Sequence, residues 1–154
     1  MIDQIPEVPT QPAIPSSPPV KLWTPGFVAA VTFLLGFPAG IVIACINWMR
    51  MKMNNKAIIH FFVGAVGTVI LVFILLLASS AAGRGIGLLA NVGVLFYLQR
   101  QIKQDIEAFK MENTVEDAGQ IGGCLIGLGT LALFLLMVFV MIIVFSFLGV
   151  PIPD

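Results

Sequence analysis

This sequence predicts an all-α integral membrane protein. The expected architecture is a bundle of four transmembrane helices, the third one short, with a proline-rich extended N-terminal arm. Three observations predict it. Four long stretches, Leu22–Met49, Ala57–Gly83, Gly85–Gln99 and Ala118–Pro153, contain no Asp, Glu, Lys or Arg. The chain of 154 residues is 58% hydrophobic and 10% charged, with a mean hydropathy of +1.02, where soluble domains are about 25% charged. The basic residues also divide unevenly between the loops that four crossings would create. A crossing helix needs roughly 20 apolar residues at 1.5 Å each, and three of the stretches clear that length. Open backbone groups are not tolerated in lipid, so the spans should be helical.

The arm, residues 1–22, carries Pro6, Pro9, Pro12, Pro15, Pro18 and Pro19. The first four recur every third residue, a spacing that suits polyproline II. It reads either as a disordered tail or as a strap lying on a partner subunit through Ile2, Ile5, Val8 and Ile14. The start has no basic segment followed by a short apolar core, so no cleavable signal is expected.

The first span is expected over about 24–49. Trp23 and Trp48 would stand about 37 Å apart along one helix, which matches the two interfacial belts where Trp prefers to sit. Pro38, within Gly36-Phe37-Pro38-Ala39-Gly40, should kink this helix at mid-span. The second span is expected over about 58–82. The glycines of Gly83-Arg84-Gly85-Ile86-Gly87 should form a tight outer turn. The third, about 84–100, is short enough to be either a crossing or a re-entrant segment.

Loop charge favours the crossing. With four spans, Arg50, Lys52, Lys56, Arg100, Lys103 and Lys110 share one side and Lys21 and Arg84 the other, a split of six to two. By the positive-inside rule both termini then lie outside the cytoplasm. An amphipathic cytoplasmic segment follows over 99–113, with Ile102, Ile106 and Phe109 at helical spacing. Thr114-Val115-Glu116-Asp117 offers an N-cap with acids in the first turn of the last helix, whose span is expected over about 121–149.

Trp23-Thr24-Pro25-Gly26-Phe27, then Phe33-Leu34-Leu35-Gly36-Phe37-Pro38-Ala39-Gly40, then Asn47-Trp48-Met49-Arg50 resembles a pattern found in small uncharacterised bacterial multi-span membrane proteins. They have a Pro/Gly-centred first span and an Asn-aromatic-Arg exit. Gly119-Gln120-Ile121-Gly122-Gly123 is similar to a late segment in the same proteins. The exit departs from the usual Asn-Tyr-Arg-Arg-Leu-Gly. The resemblance implies the bacterial inner membrane and no particular chemistry.

Candidate chemistry is sparse. Pumps and ion-coupled transporters need ionisable groups within the membrane, and only Arg84, at a loop, comes near. Cys45, His60 and Cys124 all fall near cytoplasmic span ends and form a candidate metal or haem set, against the plain alternative of two small apolar thiols and an interfacial imidazole. Within Gly83-Arg84-Gly85-Ile86-Gly87, a dinucleotide-loop spacing can be read over Gly85, Gly87 and Ala90, but the required strand and soluble helix are absent from the pattern. No nucleophile motif stands out, so no enzyme is expected.

Helix packing leaves clearer marks. Gly36, Pro38, Gly40, Gly64, Asn91, Gly123 and Gly127 are the candidate packing residues, because small side chains let backbones approach in lipid and Asn91 can hydrogen-bond between helices. The expected role is a non-catalytic accessory or assembly subunit of a larger membrane complex, for example respiratory or photosynthetic. It would have no cofactor of its own but could touch lipid or a partner's pigment or haem. Expected partners are other membrane subunits, lipid and further copies of the chain. With net charge zero, nucleic acid is not among them. The alternative is a self-associating small-solute channel or transporter, which should show a polar stripe along one helix.

Overall fold

Gly36 has φ +88°, a conformation that glycine adopts freely and side-chain-bearing residues avoid. In a computed structural model of the chain, this residue ends one helix and begins the next. The structure describes residues 18–77 and 80–148, and for 76–77 and 80–84 the backbone alone. The prolines of the arm up to Pro15, the side chain of Arg84, and Ala78 lie outside what is described, as do Ala82's side chain and the end from Gly149.

Helix α1 spans Pro25–Leu35 and α2 Phe37–Arg50. Thr24 caps α1, its hydroxyl accepting from the Phe27 N–H at 3.2 Å. Pro38 sits in the first turn of α2, where a missing N–H costs nothing. The chain reverses at Gly36, so α1 and α2 form an antiparallel hairpin. Asn47 near the end of α2 hydrogen-bonds Trp23 at the start of α1.

This corrects the expected first span. Residues 24–49 are not one kinked helix, and Trp23 and Trp48 lie at the same end of the molecule, not at opposite belts. The arms are about 16 and 21 Å long, short of the roughly 30 Å of a hydrocarbon core. Gly36 and Pro38 act together here. Pro alone would kink a helix, but a positive φ two residues earlier turns the chain back.

Three long helices surround the hairpin: α3 (Asn54–Leu77), α4 (Ser80–Lys110) and α5 (Gln120–Phe147). Two helices, over Asn54–Leu75 and Gln120–Phe147, are long and apolar enough to cross a membrane. Helix α4 is continuous, about 46 Å long, and joins the expected short third span to the amphipathic segment without a break. Leu98, Ile102 and Ile106 on its later half are buried. Gly83–Gly87 lies within α4 and is not a turn.

Helix α1 packs on α4, α2 packs on α3 and α5, and α5 meets the rest almost wholly through the hairpin. The core is therefore built on the hairpin: Val28, Val31, Ala39, Ile43, Ala44 and Trp48 are buried in it.

A two-stranded parallel sheet closes one end. Strand β1 (Val20–Leu22) pairs with β2 (Val115–Asp117), Lys21 opposite Glu116. Residues 114–117 are thus an extended segment and not an N-cap. Helix α5 starts at Gln120 behind Gly119, with no acid in its first turn. Extended pairing satisfies the 115–117 backbone with β1, a partner that local sequence around Thr114 does not reveal. Lys21 now shares an end with Arg50, so the premise of the six-to-two split no longer holds.

Candidate functional site

The polar side chains gather at the sheet end of the bundle in two linked clusters. The first locks the open end of the hairpin. Asn47, fully buried, accepts from the Trp23 backbone N–H at 3.0 Å and donates to the Trp23 carbonyl at 2.8 Å. The Trp23 indole N–H donates to the Gly119 carbonyl at 3.1 Å, tying the hairpin to the start of α5. The Arg50 guanidinium lies 4.3 Å over the Trp23 ring and donates to the Lys21 carbonyl at 3.0 Å. Cation–π contact and a charged donor both favour this geometry.

The second cluster joins α2, α3 and α4. Asp105 accepts from the Trp48 indole N–H at 2.7 Å and from Lys56 Nζ at 2.6 Å. Lys56 also donates to Gln101 at 3.0 Å. The His60 ring lies 4.4 Å from the Trp48 ring. Its Nδ1 is 2.8 Å from the Lys56 carbonyl and its Nε2 2.9 Å from the Tyr97 hydroxyl. A carbonyl only accepts, so the neutral ring carries its proton on Nδ1, and the Tyr97 hydroxyl donates to Nε2.

The candidate metal residues are not brought together. The Cys45 thiol is buried and donates to the Ala57 carbonyl at 3.3 Å, His60 is held as above, and Cys124 is exposed on α5. Among the described residues no three ligating side chains cluster.

Comparison with family models, with curated proteins and with solved structures returns no match.

The candidate packing residues fall as follows. A Cβ at Gly40 would collide with the Thr32 side chain, within the hairpin. One at Gly64 would lie 2.7 Å from Ile41, one at Gly127 2.8 Å from Leu35, and one at Gly123 2.8 Å from the Trp23 indole nitrogen. Gly36 and Pro38 make the hairpin tip. Asn91 does not make the expected interhelical bond through its oxygen to any described residue: Oδ1 is buried with no partner among them. It lines an open cleft of about 610 Å³ beside Gly36, Phe37 and Pro38.

A second groove, about 370 Å³, runs between α3 and α4 with Phe37 and Ile41 of the hairpin as its floor. Gly64 and Gly67 widen it, Ile70, Ile74 and Val94 line it, and His60 and Tyr97 stand at one end.

Sequence reading missed Asn47, Thr32 and Asp105 as structural centres. Thr32 is fully buried, its hydroxyl donating to the Val28 carbonyl at 2.8 Å. Asn47 did carry a signal: it is the one carboxamide in the charge-free stretch Leu22–Met49, and burying it in lipid demands partners.

Proposed function

We propose that this chain is a non-catalytic subunit of a larger membrane assembly, crossing the bilayer three times around a re-entrant hairpin. Helices α3, residues 80–100 of α4, and α5 are the crossings. The hairpin enters and leaves from the sheet end. Of the eight Lys and Arg residues, only Arg84 belongs to the opposite end. By the positive-inside rule the sheet end is cytoplasmic. Strand β1 then lies on the cytoplasmic side and α5 ends outside, in place of an outer position for both ends of the bundle.

The observation that carries the reading is the exposure of α5. Only Gly123 and Gly127 of this helix are buried, both against the hairpin. Leu125, Leu133 and Phe139 are exposed, and a Cβ at Gly122 or Gly129 would meet nothing within 4 Å. Small residues on an open helix face permit close approach of another helix in lipid. The buried polar groups at the sheet end meanwhile hold helices to one another, as Asn47 and Asp105 do.

The channel alternative is less well supported. The space among α3, α4 and α5 is occupied by the hairpin, whose buried residues are apolar except Thr32 and Asn47, and those two direct their hydrogen bonds to Val28 and Trp23. A pore would have to run between copies.

Gentle extraction followed by native mass spectrometry tests the proposal. A complex with foreign membrane subunits is expected, lost on Gly129→Leu. A lone monomer, or a ring of identical copies that conducts solute, would overturn it.

A further inference from the structure

We infer that the groove between α3 and α4 is a binding site for one anionic phospholipid. The inference rests on the membrane placement proposed above and not on the partner subunit. The body of the groove is apolar and floored by Phe37 and Ile41. Its volume of about 370 Å³ lies in the range of small-molecule sites, about 300–1,000 Å³. Gly67 gives it depth: nothing lies within 4 Å of a Cβ built there, so the space belongs to the groove and not to a neighbouring helix.

The ends of the groove differ. Toward one end the lining is hydrocarbon, with Ile70 and Ile74. The other meets the His60–Tyr97 pair, at the level where amphipathic rings favour the membrane interface. One helical turn beyond Tyr97 stands Arg100, exposed and in no ion pair among the described residues. Across the groove the Lys56 charge is already met by Asp105 at 2.6 Å. Of these charges beyond the Tyr97 end of the groove, Arg100 is the one left uncompensated, so the net charge there is positive. An acyl chain fills the apolar body, and a phosphate at the interface answers Arg100. A headgroup that adds no positive charge of its own fits this mouth best, which selects an anionic over a zwitterionic lipid. Near a membrane surface each Lys or Arg contributes about 1 kcal/mol toward anionic lipid, or about fivefold in affinity.

The test uses the full chain reconstituted in vesicles of equal phosphatidylglycerol and phosphatidylethanolamine. Flotation reads membrane placement, and native mass spectrometry of the released protein reads bound lipid. One phosphatidylglycerol per chain is expected, about fivefold preferred over phosphatidylethanolamine. Gly67→Leu places a side chain in the open groove and should abolish retention. Gly93→Leu, also at a glycine with open space but outside the groove, should retain it. Arg100→Gln should keep a bound lipid and lose the preference.

A chain that floats but carries no phospholipid, or carries both lipids equally, overturns the site and leaves the membrane reading standing. Retention by Gly67→Leu equal to the parent's overturns the site as well. A chain that fails to float overturns both.

Discussion

The Asn47 carboxamide holds both backbone groups of Trp23, accepting from the N–H at 3.0 Å and donating to the carbonyl at 2.8 Å. One side chain thus completes the backbone pairing of a residue just before α1, where no helix or strand supplies a partner. Asn47→Leu keeps the bulk and removes both bonds, leaving two buried backbone groups open. Each should cost about 1–3 kcal/mol. We expect a loss of about 2–5 kcal/mol in unfolding measured by denaturant titration in detergent, with Asn47→Asp also destabilised, since a carboxylate cannot donate to the carbonyl.

Topology separates the hairpin from a single kinked span. With Cys45 and Cys124 replaced by Ala, single cysteines at Pro19 and Met53 should react with an impermeant thiol reagent from the same side of the membrane. Both flank the hairpin at its open end. Reaction from opposite sides would mean that residues 24–49 cross.

Gly40 on α2 lies against Thr32 on α1, with no room for a Cβ between the hairpin arms. Gly40→Ala drives a methyl into the Thr32 side chain and should cost about 1–3 kcal/mol, the usual penalty for overpacking. Thr32→Gly in the same chain should return part of that loss. Gly67→Ala, where the added carbon meets nothing, should change stability by well under 1 kcal/mol. Equal effects at Gly40 and Gly67 on thermal unfolding would mean the arms do not meet as described.

Asp105 gathers Trp48, Lys56 and, through Lys56, Gln101. Asp105→Ala should lower stability by about 1–3 kcal/mol, because the buried Trp48 indole N–H loses its acceptor and a charged pair is broken. Trp48 emission should shift to the red in a Trp23→Phe background, as water replaces the carboxylate. Unchanged emission and stability would sink this assignment.

Composition and charge-free length were enough to read helices and exposed apolar faces. They could not distinguish a kinked span from a hairpin, because both bury the same residues and the same proline. The deciding features were local and small: a glycine at positive φ at Gly36, and Asn47, whose partner lies 24 residues back. The parallel pairing of β1 with β2 joins segments nearly a hundred residues apart, which no local pattern around Val115 encodes. Gly40, Gly64, Gly123 and Gly127 were singled out for size alone. Their contacts turned out to run to the hairpin or within it, which spacing could not specify. Asp105 lies off the apolar stripe of Ile102, Ile106 and Phe109, and its partners Trp48 and Lys56 belong to other helices, so spacing along α4 does not reveal its role.

Asn91 tests what fills the cleft at the hairpin tip. Its Oδ1 is buried without a partner among the described residues, across from a helix start that has no side-chain cap. An unpaired buried acceptor costs about 1–3 kcal/mol, and replacing it by a shape-matched apolar group removes that cost. If the cleft holds only lipid chains, Asn91→Leu should stabilise the protein by about 1 kcal/mol in thermal unfolding in lipid nanodiscs. If ordered water or a polar molecule bridges Asn91 to the open N–H groups at the start of α2, the same change should destabilise by a similar amount. Backbone at a helix break inside a membrane needs such partners or burial in protein, and the 610 Å³ beside Gly36 and Pro38 leaves room for them. We therefore expect destabilisation, and a rise in stability would mean that the tip is dry.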